Sequence, residues 1–332
     1  MLLNKNVSGK TAWHLATEEG QLEVLNQLWE WAKEVLTTED LRERMFLGKD
    51  KYGNTVWHAA VHMENLYSLN KLWNLAKKVL TPDELSNKLL LAKDVNEMTA
   101  WHIAAGKGKC ETLHKIWEWA KEALTTEDLR ERMFLGKDKD GNTVWQLAVH
   151  TGNLDTLNKL WDLAKNVLTP VELSNKLLLA EDINEMTAWH IAAGKGKCEI
   201  LHKICEWAKE ALTTEDLRER MFLGKDKYGN TVWHLAVHTG NLDALNKLWD
   251  LANKVLTPDA LSNKLLLAKD INEMTAWHIA AGKGKCEVLL KIWKWAKEVL
   301  TTEDLVRSMF LGKDKNGNTA WHVAVHTGNL DI

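Results

Sequence analysis

The tetrad Thr-(Ala/Val)-Trp-(His/Gln) begins at Thr11, Thr55, Thr99, Thr143, Thr187, Thr231, Thr275 and Thr319, each 44 residues after the last. A strict period of this size implies stacked supersecondary units, because no single unit of that length buries its own core. A second rhythm of 88 residues lies over the first. Units opening at Thr11, Thr99, Thr187 and Thr275 run into TTEDL, whereas those at Thr55, Thr143 and Thr231 run into LTPDELSNKLLLAKD or a near copy. The duplicated unit is therefore a pair, and residues 99–186 and 187–274 differ at only ten positions.

This phasing predicts one array over 1–332: repeats 11–54, 55–98, 99–142, 143–186, 187–230, 231–274 and 275–318, a partial repeat 319–332, and the tail of a preceding repeat over 1–10. Neither end reads as a polar capping repeat, so the chain is expected to be a fragment of a longer array. Uncapped ends leave end-to-end self-stacking open.

Composition narrows the function classes. The 18 tryptophans against 3 tyrosines and 4 phenylalanines point to one aromatic copied by duplication. A net charge of −3, from 43 basic and 46 acidic residues, gives no electrostatic reason to expect nucleic acid or an anionic membrane. No apolar run approaches the roughly 18 residues a membrane span needs. Cys110, Cys198 and Cys286 recur 88 residues apart, too distant in a stack to bridge, so reduced thiols and a cytoplasmic setting are expected.

Residues 99–142 illustrate one unit. A short apolar stretch from Thr99 to Ala105 ends in Gly106-Lys107-Gly108. Leu113, Ile116, Trp117, Ala120 and Leu124 then fall on one helical face. A third short helix follows. In the alternate units Thr81 suits its N-cap, Pro82 its first position and Glu84 the third place of a capping box. Its apolar side is Leu85, Leu89 and Leu90, or Leu129, Met133 and Phe134 in the other kind of unit. Asp138-Lys139-Asp140-Gly141-Asn142 reads as a turn. The fold class expected is an all-α solenoid with a third short helix in each repeat.

The stretch DKYGNTVWHLAVHTGNLDAL from Asp226 resembles the ankyrin repeat: Thr231, His234, Ala236, Gly240 and Leu242 fall on its signature positions, and the match recurs in phase along the chain. Three departures stand out. Trp takes the place of the expected leucine, each repeat is longer by the third helix, and Glu97, Glu185 and Glu273 replace the turn glycine, which argues against the usual hairpin turn there. The resemblance implies a curved superhelix whose concave side is built from turns and first helices. It also implies a structural role for His14, His58, His102, His190, His234, His278 and His322, with Gln146 at the remaining place.

Motifs that could carry chemistry fail on inspection. The i, i+4 pairs His58–His62, His234–His238 and His322–His326 lack a further ligand at fixed spacing. Cys198, His202 and Cys205 share a helix face, but two turns put the Cα atoms of the two cysteines about 10 Å apart, while two thiolates on one zinc must approach far closer. Gly106-Lys107-Gly108-Lys109 has neither the strand nor the spacing of a phosphate loop. No nucleophile–base pattern appears, so no catalytic residues, metal or cofactor are expected. The resemblance implies instead a non-enzymatic scaffold that binds partner proteins on its concave face. The residues it points to are Lys51, Tyr52, Asn54, His62 and Met63; Val95, Asn96, Met98, Gly106 and Lys107; Lys139, Asp140, Asn142, His150 and Thr151; Ile183, Asn184, Met186, Gly194 and Lys195; and Lys227, Tyr228, Asn230, His238 and Thr239. The alternatives are an elastic or spacer element with no dedicated ligand, and a secreted microbial effector that binds host proteins.

Overall fold

The computed structural model describes residues 2–63 and 66–328. Met1 of the opening tail and residues 329–332 of the partial repeat lie outside the described residues. Among the described residues the chain is helical throughout, with one isolated antiparallel bridge between Lys137 and Thr143 and no strand. It divides into two compact units, Met1–Thr169 and Pro170–Ile332. Each is a stack of helical repeats, so the fold is an all-α solenoid. No helix among the described residues is long and apolar enough to cross a membrane.

In repeat 99–142 the first helix is Ala100–Gly106 and the second Cys110–Ala123. The first is short and rich in alanine. Ala104 and Ala105 are fully buried, and their small side chains let consecutive first helices pack closely. The second is amphipathic and buries Leu113, Ile116, Trp117 and Ala120. Gly108, at φ +67°, makes the turn between them. A Cβ there would come within 2.9 Å of the Cβ of Asn153 in the next repeat. Asn153 uses that proximity: its side chain caps the following second helix and its Nδ2 donates to the Gly108 carbonyl at 3.2 Å.

The third helix starts as α over Thr126–Asp128 and widens to π over Leu129–Phe134, closing with Leu135 N–H donating to the Arg130 carbonyl at 3.1 Å. Bonds from i to i+5 align residues four and five apart. Leu129, Met133 and Phe134 thereby form one buried side, as do Leu85, Leu89 and Leu90 in the alternate repeat. The capping box is present: Thr81 N–H donates to Glu84 Oε2 at 3.0 Å, and Glu84 N–H donates to Thr81 Oγ1 at 3.3 Å. The third helices of repeats 11–54, 55–98, 143–186, 187–230 and 231–274 pack against the second helix of the following repeat, and that of 99–142 against the following first helix.

The core is a series of three-ring aromatic clusters assembled in two alternating ways. Trp101 and Trp117 take Phe134 from their own third helix as the third ring, at 5.9 and 5.4 Å. Trp57 and Trp73, whose third helix offers Leu90, receive Trp119 from the next repeat instead, at 5.3 and 5.2 Å. In the second unit Trp233 and Trp249 receive Trp295 in the same manner, at 5.4 and 5.0 Å.

The turns at Glu97, Glu185 and Glu273 correct the expectation of an altered hairpin. These glutamates adopt the left-handed conformation, with φ of 58°, 59° and 58°. The turn persists because Asp94 overdetermines it. Its Oδ1 accepts from Asn96 N–H at 2.8 Å and Met98 N–H at 2.9 Å, and its carbonyl accepts from Glu97 N–H at 3.1 Å.

Candidate functional site

Each tetrad threonine caps a first helix, and the histidine three residues on completes the cap. At Thr99 the backbone N–H points at His102 Nδ1, 3.4 Å away, and the hydroxyl lies 2.8 Å from the same nitrogen. His102 Nε2 lies 3.1 Å from the Gly136 carbonyl, 34 residues on. A backbone N–H only donates and a carbonyl only accepts, so the ring is the neutral Nε2–H tautomer. His58 is placed identically between Thr55 and the Ala92 carbonyl, the latter at 3.0 Å. Burial pushes its pKa down to about 4. His14, His190, His234 and His278 repeat the arrangement, and burial lowers each of them. Gln146 caps its helix in the same way, accepting from Thr143 N–H at 2.9 Å. With both ring nitrogens engaged, His58 and His234 have none to offer a metal beside His62 and His238. Among the described residues no group of three or more His, Cys, Asp or Glu side chains is placed to hold an ion.

The turns form a second constellation. Asp50 holds its loop by accepting from Tyr52 N–H at 2.8 Å and Asn54 N–H at 2.9 Å. Consecutive turns are then tied by one backbone bond each. Lys51 N–H donates to Ser8, Val95 N–H to Tyr52 and Lys139 N–H to Asn96, at 3.1, 3.0 and 2.8 Å. In the second unit Lys227, Ile271 and Lys315 donate to Asn184, Tyr228 and Asn272, at 3.0, 3.0 and 2.8 Å. This ladder fixes the backbone and leaves the side chains at the tips outward.

Lys51, Tyr52, Val95, Asn96, Lys139, Asp140, Ile183, Lys227 and Tyr228 are exposed, as are His150 and His238 on the first helices. Met98, Asn184 and Met186 are half-buried. Asn142, expected at the binding face, is buried instead. Its Nδ2 lies 3.3 Å from both carboxylate oxygens of Asp138, so it serves the turn. Asn54 and Asn230 likewise donate to Asp50 and Asp226, at 3.3 and 3.1 Å, and present little to a partner.

A cavity of about 250 Å³ in the first unit brings turn and helix together, with Asn54 and Asp50 on one side and His62, Met63 and Lys107 on the other. Lys10 and Glu18, paired at 2.6 Å, also line it. Burial, then Lys107, hold the His62 pKa below the ordinary imidazole range. His238 is lowered by burial, then by Lys283 and Lys285. Lys10, Glu18, Lys283 and Lys315 were not among the expected site residues, although their phase marks them: Lys10 stands in register with Asn54, Glu18 with His62, Lys283 with Lys107 and Lys315 with Lys51.

No protein-family model matches the chain, and no curated protein is similar to it.

Proposed function

We propose that the chain is a non-enzymatic protein-interaction scaffold of ankyrin type, binding partner proteins on the face formed by the turns and the ends of the first helices. The observation that carries this reading is the division of labour in the turns. Backbone and buried polar groups are consumed by the ladder and the aspartate loops, whereas the tip side chains Lys51, Tyr52, Val95, Lys139, Lys227, Tyr228 and Ile271 stay exposed on a rigid frame. Rigid loops that present varied side chains are a common basis for recognition. The order of turn, first helix and second helix, and the threonine–histidine cap, support the ankyrin reading. The recurrence of Cys110, Cys198 and Cys286 at intervals of 88 residues, too far apart in a stack to bridge, supports a reducing, cytoplasmic setting.

Photocrosslinking tests it. A benzoylphenylalanine at position 52 or 228 should capture discrete partners in cells. The same group at Lys121, on a second helix, should not. Equal capture at both places rejects the assigned face. Silence at 52 and 228 favours the spacer reading, which the near identity of residues 99–186 and 187–274 also fits.

A further inference from the structure

Charge is unevenly placed. The chain carries −3 overall, yet exposed lysines collect on the turn face. In the first unit these are Lys51, Lys107 and Lys139; in the second, Lys195, Lys227, Lys283 and Lys315. Most acidic groups of that face, among the described residues, are either paired with a lysine or turned inward. Glu18 pairs with Lys10, Glu97 with Lys93 and Glu273 with Lys269, at 2.6, 3.2 and 3.1 Å. Asp50 and Asp94 keep their charge but turn it inward onto their own loops, Asp50 buried and Asp94 half-buried. Among the described residues Glu19, Asp140 and Glu185 are the exposed carboxylates left there, fewer than the exposed lysines. The cavity linking Asn54 to Lys107 joins the turn and helix-end positions in one concavity.

Apolar surface lies among these cations in a fixed pattern. Tyr52 and Val95, 50% and 55% exposed, sit on neighbouring turns joined by the Val95–Tyr52 backbone bond. Tyr228 and Ile271, 49% and 54% exposed, repeat the arrangement in the second unit. Lys51 and Lys227 lie 5.0 and 5.1 Å from the centres of the two tyrosine rings. Each unit thus presents an aromatic–aliphatic pair flanked by ammonium groups.

We propose that each pair is a docking point for an acidic peptide segment with an apolar side chain. The apolar group rests on Tyr52 and Val95, or Tyr228 and Ile271, while its flanking carboxylates meet the lysines. This rests on the scaffold reading and adds the chemistry of the partner. A polyphosphate backbone would satisfy the lysines but leave the aliphatic tips unmatched.

The probe is a fluorescein-labelled peptide of glutamates interrupted by leucines, with glutamine and lysine versions as comparators. The glutamate peptide should bind best, and more weakly as salt rises. Lys107→Glu with Lys283→Glu should weaken it by about tenfold or more, and Val95→Ser with Ile271→Ser by a few-fold. Lys121→Glu with Lys209→Glu, on the second helices, should leave it unchanged, with circular dichroism confirming that each variant is folded. Equal binding of glutamate and glutamine peptides, equal loss with the second-helix variant, or tighter binding of a single-stranded oligonucleotide would each overturn the proposal. If crosslinking at 52 and 228 still captures partners while the acidic peptide fails, the scaffold reading survives and the acidic specificity falls.

Discussion

Arg42 Nε donates to Glu84 Oε2 at 3.1 Å across the boundary between two repeats, and the same carboxylate caps the third helix at Thr81. The pairing with Arg42 holds the Glu84 pKa down to about 2. At the corresponding place in the second unit residue 260 is alanine, and Arg218 turns to the Val255 carbonyl at 2.8 Å. Thr257 Oγ1 already accepts from Ala260 N–H at 3.3 Å, so Ala260→Glu should complete the capping box, restore the inter-repeat pair and stabilise the protein by about 1 kcal/mol. Chemical denaturation checks this; an unchanged midpoint would show that Arg218 does not return from Val255.

The buried histidines set a pH limit. His58 titrates at about 4 when folded and near 6.5 when unfolded, so the unfolded chain binds more protons between those values. Stability is full above pH 6.5 and falls as pH drops towards 4, by about 3 kcal/mol for His58 alone. The other capping histidines act in the same direction. His58→Gln, which copies the natural arrangement at Gln146, should flatten part of this slope. Superimposable melting curves at pH 7 and pH 5 would contradict it.

Trp119 and Trp31 occupy the same place in their repeats but are 5% and 51% exposed. Trp119 fills the cluster of Trp57 and Trp73, so Trp119→Ala should cost about 3–5 kcal/mol. Trp31→Ala should cost less than about 1 kcal/mol. Equal losses would mean that the stacking of Trp119 on Trp73 contributes little.

Cys205 takes the place of Trp117, and the structure has partly closed around it. Trp189 and Phe222 stand 5.5 Å apart, against 5.9 Å for Trp101 and Phe134. Cys205→Trp must reopen that layer before it gains ring contacts. The expected net gain is about 1 kcal/mol, read as a higher melting temperature. A lower one would show that the closure costs more to reverse than the indole returns.

Helix order, the Thr81–Glu84 cap and the burial of Leu85, Leu89 and Leu90 are legible in the sequence because each is encoded within one repeat. Apolar residues four and five apart fit an α face as well as a π turn, so the widening of the third helix is not readable. Asn142 misleads because it lies beside exposed Asp140 in sequence while its amide turns inward to Asp138. The pairing of Trp119 with Trp57 and Trp73 is hidden for a different reason. It is a complementarity between neighbours, and Trp119 and Leu75, its counterpart one repeat earlier, have meaning only when Phe134 and Leu90 are considered with them.

That complementarity gives the array a parity. A repeat that carries its own phenylalanine has no vacancy for a neighbour's indole, and one that lacks it needs the indole. Removing residues 99–142 would set two repeats of one kind side by side, with Leu163 where Trp119 stood and a gap beside Trp57 and Trp73. Removing residues 99–186 would leave every junction matched. The chain can therefore lengthen or shorten freely only in steps of 88 residues, and gene rearrangements that shift it by 44 should be lost as misfolded protein.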